Sequence, residues 1–214
     1  MPLSVTQQQI LSLVPHGALK TYLDAFASAD TVLSAWGINT ELRVAHFIAQ
    51  VMHECGGLTI LAENMNYSAE RLTQVWPSRF PTVAIAQRYA HSPRVLANKV
   101  YGNRMGNYAQ DDGWTYRGRG LLQITGRASY EQIGKLLGID LPGTPDFAIS
   151  SEHALYVAAA EWKTLGCNEA ADTDNIALVT RKVNGGTIGL AERTQWLHRT
   201  KAIWAPLPPG TLTA

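Results

Sequence analysis

Residues 41 to 53 carry apolar side chains nearly all the way round a helical wheel: Leu42, Val44, Ala45, Phe47, Ile48, Ala49, Val51 and Met52. A surface helix has an apolar stripe and a polar back, whereas a helix without a polar back has to be enclosed by other elements. The rest of the chain must therefore wrap around a buried central helix. Gly56-Gly57 mark its stop, because glycine tolerates a left-handed C-terminal cap. At 214 residues the chain suits one domain, at most with a subsidiary lobe, and is long enough to bury such a core.

The surrounding signals are also helical. Thr6 caps a first helix through Leu13, stopped by Pro15. A run over residues 19–28 places Tyr22, Leu23 and Phe26 on one face. Ser68 caps a short helix to Val75, with Pro77 barring continuation, and Ser92-Pro93 open another that ends at Gly102. Further helices are predicted over 129–137, 151–165, 175–183 and 190–204. Residues 102–126 break the pattern with glycine, asparagine, aspartate and arginine around Trp114 and Tyr116, and Leu121 to Thr125 is the best strand candidate. Residues 1–205 read as one mainly α domain, with residues 206–214 as a non-packing tail.

The formal charge of +1 makes no case for a nucleic-acid partner, although Arg117, Arg119 and Arg127 offer a local basic face that would suit an anionic polymer. Two cysteines are too few for a disulfide framework and point to a reducing compartment. The N-terminus lacks the basic and apolar regions of a signal peptide, and no apolar stretch reaches bilayer length. Residues 53–57 do not form a zinc helix, because position 57 is glycine where a second histidine would be required. Cys55 beside His53 and Glu54 raises the question of a thiol nucleophile. Neighbouring helical side chains do not face each other, however, so a packing role is expected for it.

Glu54 closes the apolar helix and Glu63 follows nine positions later (63 − 54 = 9) among Asn64, Asn66 and Tyr67. A helix C-terminus and apolar surroundings both favour a protonated carboxyl, which suits Glu54 as a general acid. The same position also fits a glutamate pointing into water. Polar neighbours suit Glu63 as an ionised base, and equally a solvated loop acid. Two carboxyls in unlike surroundings are what cleavage of an acetal requires. In residues 116–126, Gln123 and Thr125 alternate with Leu122 and Ile124. On an extended segment the polar pair would share one face, turned either to a sugar and water or simply to solvent.

Four segments, taken in order, resemble glycoside hydrolase family 19: His53-Glu54-Cys55-Gly56-Gly57, the stretch Ala62-Glu63-Asn64-Met65-Asn66-Tyr67-Ser68, the run from Tyr116 to Gly126, and the run from Val179 to Gly186. The resemblance is nearest to compact, chitinase-like endolysins of phages and prophages. It implies a mainly α, lysozyme-like fold of two lobes with a substrate cleft and at most a small β element. It also implies hydrolysis of β-1,4 bonds beside N-acetylated sugars with inversion, and no metal or organic cofactor. Carried over by position, Glu54 is the acid, Glu63 the base, and Thr125 a holder of the attacking water. Gln123 and Asn184 fall at substrate-contacting positions, Tyr67 and Tyr101 in the cleft, and Arg193 beside the acid.

Plant-type relatives carry disulfides, longer loops and a wider sequence spacing between the glutamates. The short spacing here favours peptidoglycan over chitin as the polymer cut. The expected protein is thus an endolysin-type hydrolase of the N-acetylmuramic acid/N-acetylglucosamine backbone. It would be a monomer without nucleic-acid partner or membrane insertion, accumulating in the host bacterial cytoplasm and reaching the wall through a separate pore. A bacterial chitinase, an inactive wall-binding module and a cysteine amidase or peptidase using Cys55 are the rival readings.

Overall fold

The protein is described by a computed structural model over residues 3–14 and 16–206. Helices α1 (Gln7–Leu13), α2 (Lys20–Ala25) and α3 (Ala29–Ala35) lead into the central α4 (Glu41–Glu54). Short helices α5 (Ala69–Val75) and α6 (Val83–Ala86) precede α7 (Pro93–Tyr101), and a single turn, α8 (Asp112–Thr115), interrupts the irregular stretch. The chain closes with α9 (Arg127–Leu137), α10 (Ala154–Thr164), α11 (Cys167–Asp172), α12 (Ile176–Asn184) and α13 (Leu190–Trp204). The expected stop at Pro15 and the tail beyond Pro206 lie outside the described residues.

Every residue of α4 from Val44 to Met52 is buried, as its unbroken apolar circumference requires. Thr40 caps its first turn by accepting from the Arg43 amide, and Gly57, at φ 66°, lets the chain leave through the left-handed region. α13 packs along α4, and Phe47 of α4 meets Trp162 of α10 edge to face at 5.4 Å, a contact contributing about 0.5–1.5 kcal/mol beyond its area. The first helix has a full capping box: Thr6 accepts from the Gln9 amide while the Gln9 side chain accepts from Thr6.

The apolar residues gather about two main centres. One joins α1–α4 to α10–α12 and takes in Leu121 and Leu122. The second joins α5–α7 through Met65, Leu72, Phe80, Leu96 and Val100. A satellite around α9 holds Tyr116, Ile124, Tyr130 and Ile133. This is the mainly α, two-lobed, lysozyme-like arrangement, and the segment after α4 runs from the first lobe to the second.

Some expectations change. Residues 19–28 are not one helix: α2 ends at Ala25 and residues 26–28 tighten into a 3-10 turn before α3. α10 begins at Ala154 because residues 151–153 form a turn pinned by the Ser150 hydroxyl, which accepts from the His153 amide at 3.2 Å. Ser92 turns its hydroxyl to the Ala90 carbonyl, leaving Pro93 alone to start α7. Residues 121–125 are not a strand. Among the described residues the β pairing here consists of isolated bridges, Ala62 to Arg119 and Arg119 to Ile124. Gln123 sits at φ 57°, so the chain turns back on itself and alternation no longer assigns faces.

Candidate active site

Glu54 is the last residue of α4 and faces α13. Arg193, buried on α13, places Nη2 2.5 Å from Glu54 Oε1. Its Nη1 donates to Gln50 Oε1, one helical turn before Glu54 on the same side of α4. The Gln50 amide nitrogen lies 3.4 Å from the Thr180 hydroxyl on α12. The side chain of Arg193 is 2% exposed and that of Glu54 17%, so this is a mostly desolvated ion pair held by a buried amide. Breaking such a pair from one side costs about 3–5 kcal/mol. The surroundings of Glu54 are therefore not simply apolar. Gln50, buried with His46 among the apolar residues of α4, was the overlooked signal, since a buried amide must find partners.

His53 lies under the loop that follows α12. A Cβ on Gly189 would come within 2.5 Å of its imidazole, so only glycine lets that loop pass. Burial, then the Arg193 charge, holds the His53 imidazole below its usual range against the pull of Glu192, whose carboxylate is 3.2 Å away. Asn184, the last residue of α12, is exposed at the start of this loop.

Glu63 belongs to a second constellation. Its amide donates to the Gly118 carbonyl at 2.9 Å, and the Gly120 amide donates back to Leu61 at 2.9 Å, which ties its segment to residues 118–120. The Tyr101 hydroxyl, at the end of α7, lies 2.8 and 2.7 Å from the two carboxylate oxygens. Burial pushes the Glu63 carboxyl above its ordinary range, opposed by the Tyr101 hydroxyl, the Gly118 contact and the Arg117 charge. The segment is thus less solvated than its polar composition implies. Tyr67 is close enough that Glu63, after burial, raises its phenol.

Gln123 and Thr125 reach the same place by a different route from the one expected. Built at Gly118, a Cβ would stand 3.1 Å from Gln123 Oε1, 3.3 Å from Thr125 Oγ1 and 3.5 Å from Glu63 Cβ. The missing side chain leaves these three groups around one small space. The Thr125 hydroxyl donates to the Gln123 carbonyl at 2.8 Å, so toward a water it acts as an acceptor.

The expected basic face is largely neutralised. Arg127 pairs with Asp112 at 2.7 Å and Arg119 with Asp146 at 3.1 Å, while Arg117 stacks over Trp114, its guanidinium carbon 3.6 Å from the ring centre. Cys55 is buried, donates to the Val51 carbonyl at 2.9 Å, and has its thiol pushed up to about 12 by burial. A thiol in that state is a poor nucleophile. Among the described residues no three His, Cys, Asp or Glu side chains are grouped to hold a metal ion.

A protein of Haemophilus influenzae described as a glycosyl hydrolase family 19 domain-containing protein is 35% identical over 195 residues, spanning 90% of this chain and 94% of its own length. The chain belongs to glycoside hydrolase family 19. The inactive chitinase-like protein 1 of Hevea brasiliensis is 28% identical over 153 residues, 69% of this chain and 42% of that protein. No protein-family model matches. A solved bacterial family 19 chitinase superposes with a TM-score of 0.63 at 23% identity, covering 98% of this chain and 99% of its own. The class IV family 19 chitinase of Zea mays gives 0.62 at 17%, covering 98% and 97%. These two likenesses establish the shared fold, and family membership makes the chain a glycosidase by class.

Proposed function

We propose that residues 1–205 form an endolysin-type peptidoglycan hydrolase that cuts the β-1,4 bonds of the N-acetylmuramic acid/N-acetylglucosamine backbone with inversion. Glu54 protonates the leaving glycosidic oxygen. The carboxylate it becomes is received by Arg193, whose charge is already in place and needs no reorganisation. Glu63 takes a proton from water on the opposite face of the ring, and Thr125, its own proton committed to Gln123, accepts from that water and turns it toward Glu63. Gln123, Asn184, Tyr67 and Tyr101 bound the space the sugars fill.

The observation carrying this reading is the meeting of Glu63, Thr125 and Gln123 around the vacant side of Gly118. The side chain of a buried glutamate, an accepting hydroxyl and an amide oxygen brought to one place are suited to holding water beside a base. Burial of Glu63 also moves its carboxyl toward working pH, where a base is most effective. Peptidoglycan is preferred over chitin for the short spacing of the two glutamates and the absence of a disulfide set. In keeping with that substrate, the protein accumulates in the host cytoplasm and passes through a separate pore. Among the described residues no helix is long and apolar enough to cross a membrane.

The test is digestion of purified sacculi and of chitin oligomers, with mass spectrometry of reduced products and proton NMR of the first sugar released. Soluble muropeptides with an initial α anomer are expected. Chitin cleavage without sacculus cleavage replaces peptidoglycan by chitin, the reading favoured by the chitinases among the solved structures of this fold. An initial β anomer rejects inversion.

A further inference from the structure

Arg117 is the one arginine of residues 116–127 that the protein leaves without a counter-ion. Arg119 and Arg127 of the same stretch reach Asp146 and Asp112, but among the described residues no carboxylate lies within ion-pair distance of Arg117. Its guanidinium carbon stands 3.6 Å from the centre of the Trp114 ring, and Nη1 donates to the Trp114 carbonyl at 2.9 Å. Nε is sealed from solvent without a partner. Of the five N–H groups of a guanidinium, the two on Nη2 find no acceptor among the described residues.

This half-buried cation is fixed beside the candidate base. Arg117 precedes Gly118, whose carbonyl holds the Glu63 amide at 2.9 Å, and its own carbonyl accepts from the Tyr130 hydroxyl at 3.1 Å. Trp114 packs against the same second-lobe core as Tyr67 and Tyr101, and its amide donates to Asn98 Oδ1 of α7 at 2.9 Å. Platform and guanidinium are therefore both held before any ligand arrives.

Burial first and the Arg119 charge second hold the Arg117 guanidinium below its usual range, while Tyr130, Asp146 and Glu63 pull the other way. The two carboxylates among these are engaged elsewhere, Asp146 by Arg119 and Glu63 by Tyr101. A partly desolvated cation without a counter-ion favours an anion brought from outside. A stacked guanidinium also offers a carboxylate a fixed edge, which the point charge of a lysine does not.

We propose that Arg117, held on Trp114, binds a carboxylate carried by the polymer and so sets a preference for an acidic glycan over a neutral one. Strands containing N-acetylmuramic acid supply such a group, as the free lactyl carboxylate where the stem peptide has been removed or as a carboxylate of the stem peptide where it remains. Chains of N-acetylglucosamine alone supply none. The choice of polymer rests on the hydrolase reading above, whereas carboxylate binding requires no turnover.

The experiment is isothermal titration calorimetry on the chain carrying Glu54→Gln to suppress turnover, alone and combined with Arg117→Gln or Arg117→Lys. Three hexasaccharide probes share the β-1,4 backbone: chitohexaose, peptidoglycan strands stripped to the lactyl carboxylate, and the same strands with stem peptides. With Arg117 present, at least one acidic probe should bind more tightly than chitohexaose. Arg117→Gln should cut that preference about tenfold or more, and Arg117→Lys should recover part of it, because the charge returns without the fork. The acidic probe that loses affinity identifies the carboxylate. No acidic preference with Arg117 present, a preference preserved in Arg117→Gln, or equal weakening toward all three probes overturns the proposal, the last making Arg117 a support for the fold. Loss of the preference in Arg117→Gln, when the wild type cuts chitin and leaves sacculi intact, rejects the peptidoglycan reading and upholds the carboxylate site.

Discussion

Tyr101 and Glu63 are joined by a forked contact in which one phenolic hydroxyl stands 2.8 and 2.7 Å from the two oxygens of the same carboxylate. The hydroxyl comes from the end of α7 in the second lobe and the carboxylate from the segment leaving the first, so the contact sets how the two lobes meet at the site. It also favours the ionised form of Glu63 against the burial that opposes it.

Tyr101→Phe removes that support while keeping the ring. With one donor to a charged group lost, the Glu63 carboxyl should rise further. Glu63 must be ionised to act as base, so the acid limb of kcat/KM should move to higher pH, with the alkaline limb unchanged. A pH–rate profile measures this directly. A uniform loss at every pH would make Tyr101 a substrate contact instead.

Glu54→Gln retains an oxygen for Arg193 but has no proton to give. Activity on the hydrolysed polymer should fall at least about a hundredfold. Arg193 also loses its counter-charge while the amide oxygen still accepts, so stability should fall by about 3 kcal/mol, the lower end for such a pair, and the melting temperature by roughly 6–12 °C. Near-normal turnover by the folded variant would remove Glu54 from the chemistry.

Gly118→Ala and Gly120→Ala separate the site from the scaffold. At 118 the nearest atoms to the new methyl are side-chain atoms of Gln123, Thr125 and Glu63 at 3.1–3.5 Å, so it should cut turnover about tenfold or more by displacing the groups assigned to the water, with little effect on melting. At 120 the backbone is at φ 81° and the methyl would lie 2.4 Å from the Ala148 carbonyl, which should destabilise the fold by about 2 kcal/mol or more. Thermal melts beside initial rates distinguish the two, and equal stability losses would refute the assignment.

Thr125→Ala should lower kcat less than Glu54→Gln does and leave the Michaelis constant nearly unchanged, because the hydroxyl only orients water. A steep rise in that constant at constant turnover would make Thr125 a sugar contact.

His46 gives the fold an acid limit. It is fully buried, its Nε2 3.0 Å from Asp174 and its Nδ1 without a partner, and burial holds its imidazole below the usual range despite that carboxylate. The folded state therefore binds the proton less readily than the unfolded chain. The stability this gives is complete above about pH 6.5 and is lost as pH falls through the depressed folded value. Urea melts from pH 7.5 to 4.5 should show that decline in the wild type and a shallower one in His46→Asn. Identical slopes would place the acid sensitivity elsewhere.

Local signals were sufficient to read the central helix, its glycine stop, the caps at Thr6 and Ser68, and the mainly α class, because each depends on residues within a turn or two of one another. Glu54 at the end of α4 and Glu63 beyond the turn could likewise be singled out from neighbouring residues. Four elements escaped that reading: α3, α6, α8 and α11 are too short for periodicity to stand out. The strand expected at Leu121 to Thr125 failed because Gln123 takes a left-handed turn that long-range packing imposes, Leu121 and Leu122 going to one core and Ile124 to another. The family resemblance put Arg193 beside the acid and Tyr101 in the cleft, but only the tertiary structure gave the contacts, Arg193 crossing 139 positions to Glu54 and Tyr101 reaching Glu63 across 38. Such contacts form when apolar faces choose their partners, and burial then sets which charges need company. A sequence shows the faces, but desolvation, which raises Glu63 and lowers His46, exists only once they have closed.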